Sequence, residues 1–210
     1  MEAFRLPEFR HELLSRIESA ITPLHGWGTI AKGMRLAELI LEMQADVSVE
    51  IGVFGGRGVI PMAIAHKSLG NGYAVGIDPW EVRASVEGDN SAENNAWWEK
   101  IDHDEIYEHF IRALVQNDVV RQCRVMRERS DTALRLFDDA SVSVLHQDGN
   151  HSEQVSVREV EIWSPKLRPG GYWVADDTDW VTTRKAQAAL LARGFVLAED
   201  HATWRVYRKP

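Results

Sequence analysis

Two groups of residues in this chain have the types and spacing to do chemistry together. The first is Glu50-x-Gly52-x-x-x-Gly56-x-Gly58, where the apolar run Val47–Ile51 gives way to a helical stretch. Glycines there let the backbone turn sharply and approach a ligand with no Cβ in the way. The spacing also sorts cofactors. A dinucleotide fingerprint starting at Gly56 needs a glycine at its sixth position, where this chain has Pro61. A phosphate-cradling loop needs Gly-Lys-Ser/Thr, which is absent. The ligand therefore need not carry phosphate. Asp78 ends the next apolar run, in Gly76-Ile77-Asp78, and a carboxylate can accept hydrogen bonds from two neighbouring hydroxyls. Taken alone, the glycines could merely make a tight turn and Asp78 cap a helix.

The second group lies further along, in His146-Gln147-Asp148-Gly149-Asn150-His151 and Ala175-Asp176-Asp177-Thr178. Each follows an apolar run, and in a parallel sheet both ends open on one edge. Three carboxylates brought together repel one another unless a cation sits between them. Oxygen-only ligands select a hard cation such as Mg²⁺ over zinc. A bound cation lowers the pKa of a coordinated hydroxyl, and a nearby carboxylate or His151 can then take the proton. The plainer alternative makes Asp148 a strand-end acid, Asp176-Asp177 a helix cap with a solvated neighbour, and His151 structural.

Elements that could position these groups are readable from periodicity. Phe9, Leu13, Ile17 and Ile21 form one helical stripe and Leu36, Leu39, Ile40 and Met43 a second. Residues 1–45 therefore read as a helical extension packed on a domain of 46–210. Within that domain, strands are expected at Val47–Ile51, Tyr73–Ile77, Arg124–Arg127, Val142–His146, Gly171–Ala175, Phe195–Glu199 and Thr203–Arg208. Helices are expected at Val59–Ser68, Asp104–Asn117, Asp131–Asp138, Glu153–Ser164 and Arg184–Arg193. Runs apolar on both faces and joined by helices indicate a parallel sheet covered on both sides. The last two strands are too close in sequence for a parallel crossover and must pair antiparallel. Polar residues 81–103, with Trp97 and Trp98, form an insertion over the ligand edge of the sheet.

The chain of 210 residues has a formal net charge of −8 and one cysteine, Cys123. One cysteine excludes an internal disulfide and a thiolate zinc cluster. The acidic balance argues against a nucleic-acid partner. No apolar run reaches the length of a membrane span, and the N-terminus lacks a secretory pattern. A cytoplasmic protein acting on a small molecule is the expectation.

The pieces Val-Glu-Ile-Gly-Val-Phe-Gly-Gly, Gly-Ile-Asp-Pro-Trp, Asp-Gly-Asn-His and Pro-Gly-Gly-Tyr-Trp-Val-Ala-Asp-Asp resemble class I S-adenosylmethionine-dependent methyltransferases. Within that family they are most similar to the Mg²⁺-dependent sugar O-methyltransferases of macrolide and aminocoumarin biosynthesis and to the cephalosporin-hydroxylase group. The resemblance spans roughly residues 25–180. It implies a Rossmann-like α/β fold with a seven-stranded, mostly parallel sheet, helices on both faces and a C-terminal antiparallel hairpin. It implies that Glu50, Gly52, Gly56 and Gly58 line the methionine end of S-adenosylmethionine, with Asp148 beside it. Asp78 would take the ribose hydroxyls and Ser130 the adenine side. Asp148, Asp176 and Asp177 would hold Mg²⁺, with Asp148 and His151 catalytic. Trp27 and Lys32 resemble a segment that folds over the cofactor. The acceptor would be a hydroxylated small molecule and the enzyme a homo-oligomer. Asn150-His151 departs from the sugar-modifying pattern, so acceptor identity does not carry over. A metal-independent transferase and a non-catalytic cofactor-binding protein are the alternatives.

Overall fold

The computed structural model describes residues 7–210. Helices α1 (Pro7–Ile21) and α2 (Ile30–Met43) precede strand β1 (Val47–Ile51), helix α3 (Val59–Leu69) and strand β2 (Tyr73–Ile77). The insertion folds into two short helices, α4 (Val82–Ser85) and α5 (Ala92–Trp98), and leads into α6 (His103–Gln116). Next come β3 (Cys123–Met126), α7 (Ser130–Ala133), β4 (Val142–Gln147) and α8 (Glu153–Trp163). The chain closes with β5 (Leu167–Ala175), α9 (Arg184–Ala192), β6 (Val196–Asp200) and β7 (Arg205–Arg208). The strands form one sheet in the order β3-β2-β1-β4-β5-β7-β6. The first five are parallel, and β7 pairs antiparallel with both β5 and β6. This is the seven-stranded Rossmann-like arrangement that the alternating runs and the close final pair imply.

The strand period of two divides the interior into two cores. Ala74, Val144, Val174 and Val206 face a core shared with α1, α2, α3 and α6, while their neighbours Val75, Leu145, Trp173 and Tyr207 face the core under α8 and α9. On β1 the same alternation turns Val49 and Ile51 toward the second core. Ser48 and Glu50 alternate with them and meet groups on and beside α3: His66 for Ser48, and for Glu50 the helix's N-cap, Gly58.

The described part of the N-terminal extension is integral to the first core, with Leu13, Ile17, Ile21, Leu36, Leu39 and Ile40 buried beside Ile60 and Met62. Arg57, from the glycine loop, fastens the α1–α2 connection. Its guanidinium donates to the carbonyls of Ile21 (2.6 Å), Leu24 (3.0 Å) and Gly28 (2.6 Å).

Two of the expected elements differ by more than two residues at an end. β5 starts at Leu167, because Leu167 pairs with Val142 across a register shift that absorbs the turn-like Pro169-Gly170. The helix expected over 131–138 stops after Ala133 and continues as a 3-10 turn, Leu134–Leu136. No described helix is long and apolar enough to cross a membrane.

His66 offers a test of this packing. Its Nε2 lies 2.8 Å from Ser48 Oγ and its Nδ1 3.2 Å from the Asn71 carbonyl, which suits a neutral ring donating from Nδ1. Burial drives its pKa from 6.5 to about 4. The unfolded chain therefore binds the extra proton first, and stability present above pH 6.5 is lost as pH falls toward 4. The loss is at most about 3 kcal/mol. Urea unfolding of wild type and His66→Gln across that range should give a shallower acid slope in the variant, and equal slopes would refute the assignment.

Candidate functional site

Four residues stand immediately past the ends of four parallel strands: Gly52 after β1, Asp78 after β2, Asp148 after β4 and Asp176 after β5. Each continues the ladder for one more bond. The N–H of Gly52 donates to Ile77 O (2.9 Å), Asp78 to Met126 O (3.1 Å), Asp148 to Ile51 O (2.8 Å) and Asp176 to Gln147 O (3.0 Å). The sheet itself thus sets the spacing of the acids along its carboxyl edge, where sheets of this kind bind ligands. A cleft of about 560 Å³ opens there, a size usual for small-molecule sites.

The glycine loop wraps one wall. Gly52 has φ +86°, and a Cβ on it would stand 2.1 Å from the Asp148 carbonyl oxygen. Gly58 closely approaches buried Glu50, whose Oε1 would lie 1.8 Å from an added Cβ. Gly52 and Gly58 border the cleft; Gly56 instead packs against Phe110, and Gly55 takes the bordering place. Asp78 holds the loop from below. Its Oδ2 accepts from the N–H groups of Val53 (3.0 Å) and Phe54 (2.9 Å), and its Oδ1 from that of Trp80 (2.7 Å). Burial raises its pKa, and these donors oppose the rise.

Glu50, expected to face the methionine end, is buried and paired. His146 Nδ1 lies 2.8 Å from its Oε1, and His146 Nε2 lies 3.7 Å from Asp148 Oδ2. Burial pushes the Glu50 carboxyl pKa up against the hydrogen bond from His146. Ser130 borders the cleft and donates to Glu159 Oε1 (2.8 Å). Glu159 is itself buried and accepts from Gln147 Nε2 (3.0 Å). His146 and Glu159 have roles here that sequence reasoning missed, because each pairs with a group distant in the chain.

The three aspartates come together differently from a metal cage. Lys32 Nζ, from α2, donates to Asp176 Oδ2 and lies 3.3 Å from Asp148 Oδ2. Burial works to lower the Lys32 pKa, but Asp148 and Asp176 outweigh it and hold the pKa above the ordinary lysine value. On the other side, His151 Nε2 lies 3.2 Å from Asp177 Oδ2 and 3.7 Å from Asp148 Oδ1. Burial would lower its pKa, but Asp148 and Asp177 raise it, so His151 favours the protonated form. Of the carboxyl pair, burial and the Asp148 charge push Asp176 up to about 7. Asp148 is drawn the other way: Lys32 and His151 outweigh its burial and keep it ionised.

Among the described residues, the one trio of acid and imidazole groups with ligand atoms within 4.8 Å of one another is Glu50, His146 and Asp148. Asp176 and Asp177 are not part of it, and two of its members already bond each other. The donor set therefore does not fit a Mg²⁺ between Asp148 and Asp176, where an ammonium stands. Asp78, Asp148, Asp176, Asp177, Glu50 and Glu159 all border the cleft, which gives its lining several oxygen acceptors for a nucleoside ligand.

The insertion closes the top. The two N–H groups of Asn150 Nδ2 are shared among the carbonyls of Ala84 (2.9 Å), Ser85 (3.1 Å) and Glu87 (2.9 Å), tying the insertion to the loop after β4. Trp97 and Trp98 gather with Trp27 and Phe54, at centroid separations of 4.8–6.4 Å. Trp80 is core instead, 2% exposed and packed on Tyr107 and Phe110.

A family model described as a methyltransferase domain matches residues 49–178. No curated protein sequence matches the chain. Several solved structures share its fold. The O-methyltransferase NovP superposes with a TM-score of 0.72 at 14% identity, covering 96% of this chain and 98% of that one. The O-methyltransferase TomG of Streptomyces achromogenes, involved in tomaymycin synthesis and solved with SAM, gives 0.61 at 18% identity, with coverage of 94% and 87%. An O-methyltransferase of Bacillus cereus solved with SAH gives 0.58 at 12% identity, with coverage of 98% and 92%.

The three N–H groups gathered by Asp78 predict the effect of losing it. Asp78→Ala should lower stability by about 1–3 kcal/mol in urea unfolding, the cost of stranding buried donors. A loss inside measurement error would show that the carboxylate does not hold the loop.

Proposed function

The chain belongs to the methyltransferase-domain family, and on that premise we propose that it transfers a methyl group from S-adenosylmethionine to a hydroxyl of a small molecule. The observation that carries the reading is Asp148: an ionised carboxylate bordering the same cleft as Asp78 and the glycine loop. S-adenosylmethionine, when bound, supplies a methyl carbon on a sulfonium sulfur, open to in-line displacement. The structural neighbours solved with SAM or SAH support that choice of cofactor, as does the lining, with its several oxygen acceptors.

An alcohol is a weak nucleophile until its proton is removed, so the acceptor O–H needs a base within hydrogen-bond reach. Asp148 takes that part together with Asp176, whose carboxyl is pushed up to about 7. As the new C–O bond forms and the methyl C–S bond breaks, leaving S-adenosylhomocysteine, the hydroxyl proton passes to this carboxylate pair. His151, between Asp148 and Asp177, orients the base and spreads the charge around it. Asp78 offers its remaining lone pairs to the ribose hydroxyls, and Ser130 with Glu159 lies on the adenine side. Trp27, Phe54, Trp97 and Trp98 give the acceptor a flat apolar wall, which suits a sugar or natural-product intermediate. Mg²⁺ has no step in this scheme, because Lys32 stands where Asp148 and Asp176 would hold it.

Calorimetric titration with S-adenosylmethionine, followed by mass spectrometry for S-adenosylhomocysteine over a panel of hydroxylated acceptors, tests the proposal. Binding is expected in wild type. Asp148→Asn should bind the cofactor about as well and lose roughly 100-fold or more in kcat, the usual worth of a general base. Absence of cofactor binding would sink the reading, and an unchanged kcat in the variant would remove Asp148 from the role of base.

A further inference from the structure

Lys32 is out of place by every local criterion. It sits in the first turn of α2, on the helix face that buries Leu36, Leu39 and Ile40, and its residue is 5% exposed. A lysine at such a position costs stability unless its ammonium is paired. Helix α2 is fixed at its start by Thr29, whose Oγ1 accepts from the Lys32 N–H (3.1 Å). Arg57 holds the preceding connection by three carbonyls. The lysine is therefore delivered to one place, and that place lies between the acids that end β4 and β5.

The electrostatics there are nearly balanced. Asp148, Asp176 and Asp177 are met by Lys32 on one side and His151 on the other. A divalent ion at the same point would lie within a few ångströms of a fixed positive charge in a poorly solvated setting, where repulsion is strong. Mg²⁺ also demands near-octahedral oxygen ligands and keeps several waters. The Lys32 side chain, 6% exposed, fills the approach to Asp176, itself 11% exposed. The trio Glu50–His146–Asp148 leaves Glu50 Oε2 and His146 Nε2 without partners, but its imidazole nitrogen suits a softer ion than Mg²⁺, which takes oxygen ligands.

We propose that Lys32 is the resident cation of this site: a positioning residue that acts through Asp148 and Asp176 and makes the chain indifferent to Mg²⁺. It follows that removing the ammonium would uncover a divalent-cation site made from the chain's own acids. This rests on the transferase reading only in taking the cluster as the reaction centre, and its test needs neither acceptor nor cofactor. Failure to bind S-adenosylmethionine would thus leave it standing, and the two readings fail separately.

The experiment is calorimetric titration of MgCl₂ into wild type and Lys32→Met, each checked for folding by circular dichroism, with melting temperatures read in parallel against NaCl of equal ionic strength. Wild type should show no saturable heat and no Mg²⁺-specific shift in Tm. The variant should melt lower, bind Mg²⁺ more than about tenfold tighter than wild type and regain part of its Tm on binding. Adding Asp176→Asn to Lys32→Met should abolish that binding. A lysine that merely packs against the sheet would lower Tm without creating a Mg²⁺ site, so a folded variant that gains less than this overturns the proposal. If Lys32→Met does not fold, Lys32→Gln takes its place and is read against the same outcomes. In either case saturable Mg²⁺ binding by wild type that Asp148→Asn removes overturns the proposal.

Discussion

The ion-pair cluster of Lys32, Asp148, Asp176, Asp177 and His151 is the constraint on which the rest of the structure depends. A parallel sheet that ends several strands in aspartate concentrates negative charge at one edge, and that arrangement persists only if the charge is met. Here it is met by side chains from two directions, α2 beneath and the loop after β4 above. The N-terminal helices are consequently part of the site. Without α2 the strand ends would face each other uncompensated, and the first core would lose the partners of α3.

The glycine loop and the acids depend on one another in the same way. Gly52 lets the loop lie against the Asp148 backbone, Gly58 leaves room for Glu50, and Asp78 collects the N–H groups that the sharp turn leaves over. Glu50 then reaches His146, and His146 points on toward Asp148. A chain of contacts therefore runs beneath the cleft from the cofactor loop to the proposed base. Both termini of this chain are set by backbone geometry, which leaves the acids little freedom to reorient.

Much of this was legible in the sequence, because strand position is a local property. The apolar runs located the parallel strands closely, and an acid directly after a strand must lie at the sheet edge whatever the helices do. The early start of β5 was hidden, since Pro169-Gly170 resembles a turn and only the pairing of Leu167 with Val142 reveals the strand. The need for a cation among the aspartates was also readable, but its identity was not. Charge compensation is a tertiary fact, and Lys32 is remote in sequence from every acid it serves. The available signal was a lysine on the apolar stripe of α2. His146 and Glu159 were missed for the same reason, each having its partner on a different element: Glu50 on the adjacent strand β1 for His146, and Gln147 at the end of β4 for Glu159.

The amide of Asn150 has a bearing on how this enzyme could diversify. By reaching three carbonyls of the insertion, it joins the segment that shapes the proposed acceptor wall to the loop that carries Asp148 and His151. The insertion is then not an exchangeable cassette. A transplanted segment would have to present carbonyls at the same points or release the loop that carries the proposed base. New acceptors would be reached more readily by changing side chains such as Trp97 on a retained backbone than by replacing the segment as a whole.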